Sequence, residues 1–79
     1  MIYTVLDVVR TKIDVPDEGL RAGATGTIVE VFTIPNLAYE VEFVDSEGRT
    51  IAQCAFLPEH IELFAPTVAG NTRLETAAT

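Results

Sequence analysis

The run Gly-Ala-Thr-Gly-Thr-Ile-Val-Glu-Val from Gly23 to Val31 is followed, after one break, by Tyr-Glu-Val-Glu-Phe from Tyr39 to Phe43. No other feature constrains the fold of this chain as much. In the second segment apolar residues alternate strictly with glutamates, so Tyr39, Val41 and Phe43 share one face of a strand, and Glu40 and Glu42 share the other. One face must be buried and the other solvated, which is the pattern of an antiparallel sheet. Gly26, just inside the first segment, points to a bulge or a close backbone approach, the device by which small sheets turn corners.

Other strands follow from composition and punctuation. Leu6 to Ile13 is rich in β-branched residues and reads as a first strand. Pro16 then removes a ladder donor, while Gly19 and Gly23 offer positions where positive φ costs little. The loop from Asp14 to Ala24 is the longest connection before the C-terminal tail; it either carries recognition, as long structured loops commonly do, or merely closes the barrel. Asp17, Glu18 and Leu20 are its candidate contact residues.

A second strand spans Thr25 to Phe32, a turn is built on Pro35 and Asn36, and a third strand runs from Ala38 to Val44. Asp45 to Gly48 forms a hairpin loop and leads into a fourth strand from Arg49 to Phe56. Leu57 to His60 cannot continue the ladder at Pro58 and reads as a single 3₁₀ turn. Ile61 to Phe64 closes the series.

The expected architecture is all-β: a small antiparallel barrel of about five strands over residues 1–64, with a 3₁₀ turn before the last strand. This order matches an SH3-like arrangement. Val8, Val29, Val31, Val41, Phe43, Ile51 and Leu63 are the expected core, with the bend at Gly26 leaving open which of Ile28 and Val29 points inward. From Ala65 the residues become small and polar, so 65–79 reads as a tail, mobile or pinned by a partner. A helix over Thr72 to Ala78 would be too short to hold by itself.

Charge and cysteine content narrow the function classes. The chain has 79 residues, one cysteine and one histidine. A domain this small often needs a disulfide or metal staple, and a lone thiol supplies neither. The core, or a homo-oligomer interface, must do that work. Twelve acidic residues against five basic ones give a net charge of −7, a field that repels phosphate and disfavours nucleic acid. The same field attracts a basic protein. No secretory leader is legible at the N-terminus and no apolar run is long enough for a membrane span, so the expected compartment is the cytoplasm.

Leu6-Asp-Val-Val, Pro16 to Leu20, Ala22 to Val31, Tyr39 to Phe43 and Leu57-Pro58 together resemble the short bacterial proteins of domain-of-unknown-function family 4926. The resemblance covers about residues 3 to 64. It implies an SH3-like barrel with no catalytic residues to carry over. A looser similarity links the chain to SH3-like accessory chains of photosynthetic and redox complexes, and to the barrel of nitrile hydratase β subunits, which assist a larger partner.

The residues themselves argue against catalysis. His60 lies in the expected turn without a companion acid aimed at it. Cys54 shares a strand face with Ala52 and Phe56, which favours core packing over a reactive thiolate. No cofactor motif is present, and the carboxylates lack the loop spacing of a calcium site. More telling is an acidic stripe. A hairpin about Pro35 and Asn36 places Glu30, Glu40 and Glu42 on one outer face, where Arg10, Lys12 or Arg49 could neutralise it in part, and Asp45 and Glu47 extend it. Like charges across a ladder destabilise it, so the stripe is either a surface that recruits a partner or a solvated face kept for solubility.

A second candidate surface is an apolar rim of Leu20, Ile34, Leu37 and Phe64, which either plugs the ends of the barrel or meets a partner. The expectation is a non-enzymatic acidic module that binds a basic protein, such as a genetically linked toxin that it neutralises, through Glu30, Glu40, Glu42, Asp17, Glu18 and Leu20. The alternative is a small accessory subunit stabilising a redox or metabolic enzyme complex.

Overall fold

The computed structural model describes residues 2–65. The expected tail lies outside the described residues except for Ala65. Five strands and two 3₁₀ turns follow one another: β1 (Val8–Thr11), η1 (Pro16–Glu18), β2 (Thr25–Phe32), β3 (Ala38–Val44), β4 (Thr50–Phe56), η2 (Pro58–His60) and β5 (Ile61–Ala65). They form one antiparallel sheet in the order β4-β3-β2-β1-β5. The described residues are therefore all-β, with a 3₁₀ turn immediately before the last of their strands.

Strand β2 serves two partners. Its first residues pair with β1, through Val8 with Thr27, Val9 with Gly26 and Arg10 with Thr25. Its remainder pairs with β3, from Thr27 opposite Glu42 to Phe32 opposite Ala38. At the handover the backbones crowd together. A Cβ on Gly26 would lie 2.7 Å from Val41 Cγ1, 2.8 Å from the Glu42 carbonyl oxygen and 2.9 Å from Phe43 Cδ1. The glycine is required by close approach, and no bulge lies at it.

The bulges lie elsewhere. Each of three ladders slips by one residue, leaving Val29 of β2, Ile51 of β4 and Phe64 of β5 without a direct partner. An extra residue restarts the inside–outside alternation and bends the strand. In β2 it allows Ile28 and Val31, opposite Val41 and Tyr39, to face the same interior although an odd number of residues apart. This decides between Ile28 and Val29: Ile28 is fully buried and Val29 only half-buried.

The core comprises Tyr3, Val9, Leu20, Ile28, Tyr39, Val41, Phe43, Ala52, Phe56 and Ile61, with Val15, Ala24, Val31, Leu37 and Cys54 packed against it. Val41, Phe43 and Val31 take their expected places. Four other expectations are corrected. Val8 pairs with Thr27 on the outer side, so Val9 fills the interior instead. Val29 is the bulged residue. Ile51 is the bulged residue of β4 and turns outward at 58% exposure, leaving Ala52 inside. Leu63 faces inward opposite Val9 but sits on the edge strand and is 41% exposed.

The first strand is shorter than expected because Leu6 adopts φ 79, which ends the extended backbone. A turn follows, closed by Asp7 N–H to the Thr4 carbonyl and by Thr4 N–H to the Asp7 carboxylate. It swings Tyr3 into the core, where its N–H donates to the Tyr39 hydroxyl at 3.0 Å and the two rings meet edge to face at 5.3 Å.

Gly26→Val should lower stability by about 1–3 kcal/mol, because the nearest obstacles include backbone and cannot all move aside. The urea midpoint measures this; an unchanged midpoint would show that β2 can shift to make room.

Candidate functional site

The acidic stripe lies on β2 and β3, beside the edge strand β4. On the outer face Glu30 and Glu40 are direct cross-strand partners. Glu42, two residues along β3, shares their side of the sheet and lies opposite Thr27 and Gln53. Glu40 and Glu42 are half-buried and Glu30 is exposed. The stripe read from the alternation is therefore assembled on one face.

Both β3 glutamates lean toward β4. Gln53 Nε2 donates to Glu40 Oε2 at 3.2 Å, and Thr50 Oγ1 donates to Glu42 Oε2. Each neutral donor satisfies one carboxylate oxygen without cancelling the charge. Two of the cations, Arg10 and Arg49, are engaged elsewhere. Arg10 pairs with Glu62 at 2.6 Å and lies 5.3 Å from the centre of the Phe64 ring, and Arg49 reaches Asp45 and Glu47. Among the described residues no cation stands within ion-pair distance of Glu30, Glu40 or Glu42.

Asp45 and Glu47 do not extend the stripe as free charges. Asp45 Oδ1 accepts the N–H groups of Glu47 and Arg49, closing the β3–β4 turn. Hydrogen bonds from Arg49 N–H and then Glu47 N–H hold the Asp45 carboxyl below its ordinary value, helped by the Arg49 side chain.

The loop after β1 supplies the other acids. Val15 and Leu20 exchange backbone hydrogen bonds across η1, and Gly19 at φ 71 makes the reversal. Thr11, buried in the interior, fastens the base of the loop: its N–H donates to the Ala24 carbonyl, its carbonyl accepts from Gly23 and its hydroxyl donates to the Arg21 carbonyl. Asp14 accepts the Ala22 N–H at 2.8 Å. The loop is a tied hairpin carrying Asp17 and Glu18 at its exposed tip.

Leu20 departs from its expected role. It is 6% exposed and anchors the hairpin to the core, so a partner would meet only its share of a groove of about 290 Å³ lined by Asp14, Pro16, Gly19, Leu20 and Arg21. The apolar rim divides in the same way. Leu37 packs against the core like Leu20, whereas Ile34 is 86% exposed and Phe64 lies outside beneath Arg10.

Cys54 is half-buried opposite Val41. Burial pushes its thiol above the ordinary value, and the charges of Glu18 and then Glu40 push it further. Glu40 and Glu42 meanwhile lean over β4 from the outer side, through Gln53 and Thr50. His60 lies in η2, where its carbonyl accepts the Lys12 N–H.

A family model described as Domain of unknown function (DUF4926) matches residues 5–63. The match spans most of the chain, which therefore belongs to that family. No curated protein and no solved structure matches it.

Two measurements check the electrostatics. Native Cys54 should react slowly with a thiol reagent at neutral pH and rapidly in denaturant, because its thiolate forms only at raised pH; equal rates would show an open, activated thiol. The stability gap between wild type and Asp45→Asn should be complete above the ordinary carboxyl value of 3.8 and close as pH falls through the lower folded value. A gap that stays constant to strongly acid pH would mean that the charge of Asp45 plays no part in the turn.

Proposed function

We propose that this member of the DUF4926 family is a non-enzymatic, acidic protein-binding module built on an SH3-like barrel. Support for the barrel comes from the strand order β4-β3-β2-β1-β5, the sharing of β2 between β1 and β3, and the 3₁₀ turn before β5. The binding reading rests on one observation above all. Glu30 and Glu40 face each other directly and Glu42 lies beside them, while Arg10 and Arg49 form ion pairs with other acids. Juxtaposed like charges cost the ladder a few tenths to about 1 kcal/mol. A basic protein surface docking there would remove that repulsion and supply the missing cations.

The partner is a cationic protein, with a toxin neutralised by its acidic binder as one instance. Such a complex would form by long-range attraction, so its association rate should fall as salt rises. The alternative, an accessory subunit buried in a larger enzyme complex, draws on the exposed apolar residues Ile2, Leu6 and Ile34.

The test begins with the stoichiometric partner captured by the full chain from its own cell extract. Association is then timed for wild type and for the triple variant Glu30→Gln, Glu40→Gln, Glu42→Gln. At low salt the variant should associate about tenfold more slowly, with its fold intact and its thermal midpoint unchanged or raised. Association at the wild-type rate at low salt would reduce the stripe to a solubility device.

A further inference from the structure

We propose that the free edge of β4 is a strand-addition site, and that its occupant is an extended basic segment of another protein. The proposal rests on the acidic-module reading above and specifies how the partner is held. Three observations carry it.

First, the edge is open. Residues 50–56 make their ladder with β3, and among the described residues they have no other backbone hydrogen bond. Alternate N–H and C=O groups of β4 therefore point outward without a protein partner, which is the template an added strand uses.

Second, the edge lacks the features that usually protect one. β4 reads Thr-Ile-Ala-Gln-Cys-Ala-Phe, with no charge and no proline. Beyond the bulge at Ile51, Ala52 to Phe56 run in regular register with β3. The opposite edge is different: β5 is shorter, carries Glu62 and is broken by the bulge at Phe64. Natural sheets blunt exposed edges with charges, prolines or short strands, and β4 is blunted by neither charge nor proline.

Third, charge selects the occupant. The carboxylates of Glu40 and Glu42 extend from β3 over β4, held by Gln53 and Thr50. They lie within about one strand spacing, ~4.8 Å, of the position an added strand would take. Lysine or arginine at alternate positions of that strand would meet them on the outer face. Its intervening residues would extend the inner surface of Ala52, Cys54 and Phe56 and are therefore small or apolar. A second copy of this chain fits poorly. It would bring another net charge of −7 and set the two pairs of leaning glutamates within about a Debye length, ~8–10 Å, of each other.

The test uses the full chain and two synthetic peptides of alternating lysine and valine. In one of them the amides along both edges are N-methylated, which removes the ladder donors whichever edge faces β4 and keeps the charge. The unmodified peptide should bind at low salt and slow hydrogen exchange of amides within residues 50–56. N-methylation should weaken binding by at least about tenfold. Equal binding of both peptides would overturn strand addition while leaving the acidic-surface reading standing, since charge alone would suffice. Binding of neither peptide at low salt would overturn both. Exchange protection confined to other strands would move the site off β4. A concentration-dependent dimer that protects β4 without peptide would identify a second copy as the occupant and refute the basic segment.

Discussion

The architecture depends on one strand holding two partners at once. β2 gives its first residues to β1 and the rest to β3, with Thr27 engaged on both sides. A flat strand could do this only in a flat sheet, which in a domain this small would leave much of one face without cover. The sheet bends instead, and the bend brings Gly26 so close to Val41, Glu42 and Phe43 that no side chain fits. Everything downstream inherits that geometry. Phe43 can meet Phe56 edge to face at 6.0 Å, and Val9 and Ile61 reach the same interior from β1 and β5.

Secondary structure was legible because alternation and punctuation agreed. The limits of β2 and β3 match those read from the residues, and η2 follows from Pro58. What stayed hidden was the bulges. A one-residue slip leaves no mark on composition, yet it decides which neighbour turns inward. Ile51 and Ala52 exchanged roles for that reason, and Val29 yielded to Ile28. Val8 and Leu63 failed differently, since outer pairing and position at the sheet margin depend on strand order. Nor could propensity reveal the N-terminal segment, whose path turns on a single residue, Leu6, at positive φ. The acidic face was readable, since Glu30, Glu40 and Glu42 needed only a hairpin to unite them. Their lean toward Gln53 and Thr50 needed the register.

The distribution of cations matters more here than their number. Exposed ion pairs such as Arg10 with Glu62 add little to stability, because water and salt screen them and the side chains lose freedom. They do fix where positive charge resides. Arg10 is held by Glu62 and lies over the Phe64 ring, and Arg49 is engaged at the β3–β4 turn. The centre of the outer face is thereby left to carboxylates, and a modest net charge becomes a local field of one sign.

The contact between Tyr3 and Tyr39 has an optical consequence. The chain contains no tryptophan and two tyrosines, and both are in this one pair. Nearly all of its near-ultraviolet absorbance, dichroism and emission therefore originates at the junction of the N-terminal segment with β3. Spectra of the folded protein will register detachment of that segment even when the five strands remain paired. Agreement between tyrosine signal and far-ultraviolet dichroism then becomes a direct gauge of whether the first residues melt with the sheet or ahead of it.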